Sequence, residues 1–315
     1  MPVVAEVVRS GFVESVHHGA VLALSADGTE VLSIGDVTTP IFPRSSNKPM
    51  QALAMLRAGL DLDGELLALA SASHSGEDFH VDGVRRILAG AGLDESALQC
   101  PPDLPLDEQA RLALVRSGGQ ADPIHMNCSG KHAAMLATCV INGWPIDTYR
   151  DPEHPLQQAI LTVMEELAGE PVVAVGVDGC GAPVMAISLT GLARAFRTFA
   201  LASGDTYEGR IADAFRGHPE WTSGTTREEA ALMHAVPGSM NKGGADAVDA
   251  ISLDDGRTVA VKIADGSQRA RVPVTVAALK ALGVTGSALD QLAETVVRGG
   301  GEQVGVVRAV GALLT

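Results

Sequence analysis

The sequence predicts an α+β fold in which both chain ends form one antiparallel sheet and a helical region lies between them. Two observations support this prediction. Short stretches rich in valine and leucine gather near both termini, whereas the middle of the chain shows mainly helical spacing. Strands at both ends with helices massed between them favour α+β over a doubly wound fold. The predicted strands are 3–9, 19–25, 30–34, 172–177, 248–253, 257–263 and about 303–309.

Turn residues support antiparallel pairing of these strands. Asp27-Gly28 separates the second and third predicted strands, and Asp254-Asp255-Gly256 separates two strands near the other end. Asp-Gly pairs between apolar stretches are typical of hairpins. No linker interrupts the chain, so residues 1–315 are predicted to form a single domain.

Helices are predicted from the recurrence of apolar residues every three or four positions. The first is predicted to begin near Ser45, and its apolar residues continue at helical spacing as far as Leu60. The others are predicted at 65–70, from 77 to about 90, at 107–117, up to Asn142, and at 155–168, 189–203, 207–215 and 226–235, with two more before the last strand.

Composition excludes several classes of partner. The 315 residues include 23 basic and 38 acidic side chains, a net charge of −15, which disfavours nucleic acid and anionic membranes as partners. Aromatic residues make up 3% of the chain, too few for a base-stacking surface. The N-terminus lacks the pattern of a signal peptide, so the four cysteines are expected to be reduced and the protein cytoplasmic.

Ser45 and Lys48 form a Ser-x-x-Lys motif at the predicted start of the first helix. Residues three apart share a helix face, so this spacing suits a serine nucleophile with a lysine base. A free lysine titrates near 10.4, so such a base needs a pKa lowered by roughly 3 units, about 4 kcal/mol. The alternative interpretation is an ordinary N-cap serine.

Several motifs occur in order along the chain: Pro43-Arg44-Ser45-x-x-Lys48, Ser73-His74-Ser75-Gly76-Glu77, Asn127-Cys128-Ser129-Gly130-Lys131-His132, Val177-Asp178-Gly179-Cys180-Gly181-Ala182-Pro183, Lys242-x-Gly244-Ala245-Asp246 and Val261-Lys262-Ile263-x-Asp265-Gly266. With this set the chain resembles the asparaginase II family, the Rhizobium-type L-asparaginases, which are similar in fold to serine β-lactamases and glutaminases. The resemblance implies a β-lactamase/glutaminase-like fold, a homodimer and hydrolysis of L-asparagine to L-aspartate and ammonia.

The resemblance also implies two serine–lysine pairs. The first is Ser45 with Lys48, and the second is Ser73 with Lys242, by analogy with the lysine of the Lys-Thr-Gly strand in β-lactamases. Lys262 is the rival for the second lysine. One lysine would activate a serine while the other relays a proton. Which serine attacks stays open, and Ser45 is favoured because a helix start helps to stabilise an alkoxide-like oxygen.

A zinc ion is implied by the same resemblance, bound by Cys128, Lys131 and Cys180 with a water in the fourth position. Their spacing alone is no standard zinc pattern. The ion is expected to order loops and tune substrate affinity rather than to catalyse. The other two cysteines, Cys100 and Cys139, lie outside any motif and are interpreted as packing residues.

Substrate-binding roles are assigned from residue type and motif position. Arg44 suits the carboxylate of a free amino acid, Asp178 suits its ammonium group, and His132 would orient either. Ala247 stands where the family pattern usually has glycine, so a positive φ there would require the loop to relax. The alternatives are an L-glutaminase or other small amidase, a β-lactam-recognising enzyme or peptidase, and a non-catalytic protein that binds zinc or an amino acid.

Overall fold

The fold was analysed in a computed structural model that describes residues 1–313. The chain forms two compact units. The first, here called the sheet unit, comprises Met1–Ser46, Ile187–Leu201 and the chain from Leu232 onward. The second, the helical unit, comprises Asn47–Ala186 and Ala202–Ala231. The prediction of a single domain over 1–315 stays a prediction.

The sheet unit contains one antiparallel sheet built from both chain ends, as predicted. Its strands are β1 Val3–Arg9, β2 Phe12–Leu24, β3 Glu30–Ile34, β6 Met240–Gly244, β7 Val248–Ser252, β8 Thr258–Ile263, β9 Glu294–Gly299 and β10 Glu302–Ala309; β4 Val175–Val177 and β5 Pro183–Met185 form a separate pair in the helical unit. The strands of the large sheet run in the order β6-β7-β8-β2-β1-β10-β9, and β3 pairs with β2. The first strand lies between β2 and β10, so Glu6 faces Val16 on one side and Arg308 on the other.

Two helices, α7 Leu189–Leu201 and α11 Arg271–Ala281, pack against the sheet. The core beneath α11 is made of aliphatic side chains from alternate positions of the central strands, such as Val21, Val259 and Val261, all fully buried. The sheet unit also contains α12 Ser287–Gln291, and α10 Glu228–Ala235 begins in the helical unit and ends in the sheet unit along the chain.

The helical unit is an assembly of short helices. The helices are α1 Lys48–Arg57, α2 Gly64–Ala70, α3 Asp78–Gly90, α4 Glu108–Arg116, α5 Ser129–Asn142, α6 Pro155–Ala168, α8 Tyr207–Gly217 and α9 Pro219–Thr222. α1 packs against α6 and α8, and α3 packs against α5. Within residues 1–313, no helix has the length and apolarity needed to cross a membrane.

The predicted start of the first helix was wrong. Residues 44–47 form a 3₁₀ turn, and α1 begins at Lys48. Pro49 has no N–H to donate and so fits the first turn of a helix, which places the start next to it. Ser45 therefore does not lie on the first turn of α1, and the argument that a helix start favours it as the nucleophile loses its basis.

Two strands of the large sheet were also missed, and so was the short β5 of the separate pair. β6 contains Gly243-Gly244, and glycine is depleted in strands because it loses more backbone entropy and adds no packing. β9, Glu294-Thr295-Val296-Val297-Arg298-Gly299, shows no strict alternation of apolar and polar residues over its six positions, so it lacks the sequence pattern of a half-buried strand. Both strands form edges of the sheet.

Candidate active site

Lys48 is the centre of the candidate site in the helical unit. Its side chain is 1% exposed, although it belongs to the first residue of α1. The ammonium nitrogen lies 2.7 Å from Ser73 Oγ, 2.8 Å from the carbonyl oxygen of Ala72 and 2.9 Å from Cys128 Sγ. A buried amine within hydrogen-bond distance of a serine hydroxyl is the arrangement that base-assisted nucleophilic catalysis requires.

This contact differs from the predicted pairing. The sequence assigned Ser73 to Lys242 and Lys48 to Ser45, whereas the structure brings Ser73 to Lys48. Ser73 follows α2 in a loop, and its backbone N–H donates to the carbonyl of Thr222 at 3.2 Å. Motif order along the chain carries no information on which lysine reaches across to this loop.

The loop that carries Ser73 is fixed by its neighbour His74. The backbone N–H of Gly76 donates to His74 Nδ1 at 3.1 Å, which places the ring proton on Nε2. That nitrogen donates to Ser129 Oγ at 2.8 Å, and Ser129 donates in turn to the Ile124 carbonyl at 2.7 Å. Burial, with a smaller effect of nearby cationic groups, lowers the pKa of His74 well below its usual value, so the ring is neutral.

The predicted zinc ligands lie in the same unit. Lys131, on α5, is 1% exposed and donates to Cys180 Sγ at 3.1 Å, and Cys128 directly precedes the first residue of that helix. Cys180 lies in the tight turn between β4 and β5, where Gly181 has a φ of +82°. The structure therefore brings Cys128, Lys131 and Cys180 together from two separate motifs.

Electrostatics in this cluster favour one thiolate. A hydrogen bond from Cys128, together with the positive charge of Lys131, holds the pKa of Cys180 far below its usual value. The same hydrogen bond and burial raise the pKa of Cys128. Burial opposes the charge on Lys131, but the two sulfur groups outweigh it and raise the pKa of that amine.

The donor set has the chemistry that zinc prefers, because thiolate sulfur and nitrogen are its common protein ligands. His132 Nε2 faces Cys180, is fully buried and makes no hydrogen bond of good geometry. A buried nitrogen without a hydrogen-bond partner marks a position where an additional polar group or ion can bind. Among residues 1–313, however, no three His, Cys, Asp or Glu side chains are placed to share a metal ion. A site with three protein ligands at this position therefore requires Lys131 as the third ligand.

The two other predicted substrate residues of this unit differ in exposure. His132 is fully buried, and its Nδ1 lies 2.6 Å from the hydroxyl of Tyr149. Burial lowers the pKa of His132 to about 4, so the ring is neutral at pH 7. Asp178 is half-buried, and its Oδ1 accepts from the backbone N–H of Gly179 at 2.8 Å.

The remaining predicted residues lie in the sheet unit. Arg44 forms an ion pair with Asp246, and Lys262 donates to the Asp246 carbonyl oxygen. Burial, with help from Arg44, lowers the pKa of Lys262. Lys242 is 2% exposed and donates to the Gly243 carbonyl oxygen.

Around the ion pair of Arg44 and Asp246, three residues that are not glycine have a positive φ: Arg44 at 53°, Asp246 at 57° and Ala247 at 52°. Ala247 thus adopts the conformation for which the family pattern uses glycine, at a cost on the order of 1 kcal/mol. Non-glycine residues in this region gather at functional sites more often than elsewhere.

Ser45 is half-buried, while the adjacent Ser46 is fully buried and donates to the Lys242 carbonyl oxygen at 3.0 Å. Sequence reasoning missed Ser46, Asp246 and Tyr149 as partners of site residues. Asp246 had a detectable signal, because it belongs to the Lys-x-Gly-Ala-Asp motif. Tyr149 had none, because it stands alone between two helices.

Comparison with known proteins identifies the family. The sequence model described as L-asparaginase II matches residues 5–309. The chain belongs to the L-asparaginase II family. It is therefore an asparaginase-type hydrolase. A search of curated proteins finds no match.

Solved structures were also compared with this L-asparaginase II chain, and 12 chains match. One of them is described as EstCE1, a hydrolase with promiscuous acyltransferase activity. It is 15% identical, with a TM-score of 0.38, and the match covers 89% of this chain and 92% of that chain.

Proposed function

We propose that this protein is an L-asparaginase that cleaves the side-chain amide of L-asparagine through a serine activated by Lys48. The contact between Lys48 Nζ and Ser73 Oγ, 2.7 Å, is the observation that carries the proposal. Family membership supplies the reaction class, and the buried amine beside a hydroxyl supplies the chemistry.

In the proposed reaction the free amine of Lys48 removes the proton from Ser73 Oγ as this oxygen attacks the amide carbon. The resulting ammonium then donates a proton to the departing ammonia, which leaves an aspartyl ester on Ser73. Water hydrolyses the ester and releases aspartate. The backbone contact to Thr222 and the neutral His74 hold the Ser73 loop in place, so this step needs little reorganisation.

The other predicted residues keep their roles as proposals. Ser45 is the rival nucleophile, and Lys242 or Lys262 is the candidate for a second proton relay. Arg44 would bind the substrate carboxylate, and Asp178 would bind its ammonium group.

Zinc is proposed as a bound ion held by Cys128, Lys131 and Cys180. When bound, it would supply positive charge that orders these loops and strengthens binding of an anionic substrate group. Lys131 would have to lose its proton first, so we expect zinc affinity to rise with pH.

The experiment that tests the proposed function is ammonia release from L-asparagine and L-glutamine by the wild type and by the Ser73→Ala, Lys48→Met and Ser45→Ala variants. Ser117→Ala is a matched control, because Ser117 is an exposed serine of the same unit. Loss of kcat by about 10³-fold or more is expected for Ser73→Ala and Lys48→Met, and none for Ser117→Ala.

Three results would contradict parts of this proposal. Full activity of Ser73→Ala together with loss in Ser45→Ala would transfer the nucleophile to Ser45. Faster release from glutamine would make the protein a glutaminase, a change of one methylene that is worth only about 1–3 kcal/mol of discrimination. Binding of asparagine without turnover would favour the non-catalytic alternative.

A further inference from the structure

The edge strand β9 of the sheet unit carries an unusual surface. Its residues Glu294, Val296 and Arg298 are exposed on one face, and Val296 is 42% exposed. β9 pairs only with β10 within the described residues, so its outer backbone N–H and C=O groups face away from the sheet. Proteins usually protect such an edge, because it is a template for pairing with another strand.

Among residues 1–313, the two charged side chains on this face form no ion pair. Glu294 lies opposite Arg308 on β10, but Arg308 forms its ion pair with Glu6 at 2.7 Å. Neither Glu294 nor Arg298 has an ion-pair partner within residues 1–313; Arg298 donates to the Gly301 carbonyl oxygen. Four residues of strand separate the two by about 13 Å, too far for them to pair with each other.

We infer that β9 pairs antiparallel with β9 of a second copy of this chain, across a two-fold axis at Val296. In this register Glu294 lies opposite the partner's Arg298, and Arg298 lies opposite the partner's Glu294. Directly opposed residues of antiparallel strands have Cβ atoms about 4.5–5.5 Å apart, so both unpaired charges gain a counterion. One copy thus complements itself, as a two-fold interface requires.

The apolar residues on the same face support this register. Val296 lies opposite Val306, Val306 opposite Val8, and Val8 opposite Val13, which is 46% exposed. These four valines form a row across four strands. A two-fold axis at Val296 joins the row to its copy and makes one continuous apolar row of eight residues.

A second exposed apolar strand is a poorer candidate. Val173, Val175 and Val177 on and beside β4 are 62%, 46% and 81% exposed. No charged residue alternates with them, so nothing there fixes a register or selects a second copy. The resemblance to a homodimeric family does not identify which surface is used, whereas the charge pattern of β9 does.

The first test is charge reversal, measured by sedimentation velocity over a range of protein concentrations. Glu294→Arg and Arg298→Glu each place like charges opposite each other twice, so each single change should weaken the dimer by about tenfold or more. The double variant Glu294→Arg/Arg298→Glu should restore it, because the opposite charges meet again. Restoration also shows that the single variants fail by repulsion and not by misfolding.

Cross-linking supplies a second, independent readout. All four native cysteines are buried, so Val296→Cys adds the exposed thiol. Residues on a two-fold axis between antiparallel strands have Cα atoms about 4.5–5.5 Å apart, which suits a disulfide. Mild oxidation should give a covalent dimer of Val296→Cys, while Val177→Cys, the matched control on β4, should stay monomeric in a denaturing gel.

Three outcomes would overturn the inference. A protein that stays monomeric at all concentrations has no such interface. A dimer that is indifferent to both single charge reversals uses another surface. A covalent dimer through Val177→Cys but not Val296→Cys would place the interface on β4.

Discussion

The buried ion pair of the sheet unit allows the sharpest prediction about stability. Asp249 on β7 is fully buried, and its Oδ1 accepts from Arg271 at 3.2 Å and from Asn241 at 3.0 Å. Its Oδ2 accepts from Thr275 Oγ1 at 2.8 Å. Arg271, the first residue of α11, is 2% exposed, so this carboxylate compensates a guanidinium that water does not reach.

The change Asp249→Asn keeps the shape of the side chain but removes its negative charge. Removing one member of a buried pair costs about 3–5 kcal/mol, because the buried guanidinium loses the negative charge of Asp249 while it stays out of water. The NH2 group of the new amide would also face at least one of the three groups that donate hydrogen bonds to the carboxylate. We therefore expect the free energy of unfolding to fall by at least about 3 kcal/mol.

Glu14→Gln is the matched control. Glu14 forms an ion pair with Arg9 at 3.0 Å in the same unit, but both side chains are more than two-fifths exposed. Exposed pairs contribute about 0.2–1 kcal/mol, so this change should shift stability by less than about 1 kcal/mol. Urea unfolding followed by circular dichroism measures both. Equal losses for Asp249→Asn and Glu14→Gln would refute the reasoning from burial.

Three further outcomes are expected. Gly130→Ala should destabilise the protein by about 1–3 kcal/mol, because the new Cβ would lie 2.8 Å from Leu69 Cγ and 2.9 Å from the Leu69 carbonyl oxygen. In Gly90→Ala the new Cβ has no neighbour within 4 Å, so this change should stabilise the protein by about 0.5–1 kcal/mol. Thermal unfolding of the two variants measures both effects. Burial lowers the pKa of His80 to about 4, below the unfolded value near 6.5. Unfolding therefore makes His80 take up a proton between these values, and this residue alone should lower stability by about 3 kcal/mol as pH drops from 6.5 to 4. His80→Gln should make the loss of stability with falling pH smaller but not abolish it, because burial also lowers the pKa of His74 and His132, and an unchanged slope would contradict the assignment.

Much of the fold could be predicted because each signal was local. Helix 155–168 matches α6 at both ends, since Pro155 begins it and Gly169 ends it with a φ of +67°. For the same reason β3, β7 and β8, which adjoin Asp-Gly turns, were placed to within one residue, whereas β2 begins at Phe12, well before the predicted start at residue 19. The family motifs also identified the region of the candidate site.

The site's pairing could not be predicted, because it depends on which distant segments meet. Ser73 contacts Lys48 from 25 positions away, and no periodicity encodes that meeting. The wrong start of α1 arose because the serine motif was weighed above Pro49, whose missing N–H decides where the first turn lies. β9 was missed because half of its residues are polar.

The position of β1 in the middle of the sheet has a consequence for synthesis on the ribosome. Both sides of β1 can be paired only after β10 has been synthesised, and 293 positions separate Arg9 from Glu302. At roughly 5–20 residues per second, one side of the N-terminal strand stays open for about 15–60 s while the rest of the polypeptide emerges. A message truncated before β10 would therefore yield a polypeptide in which β1 pairs with β2 but has no partner strand on its other side.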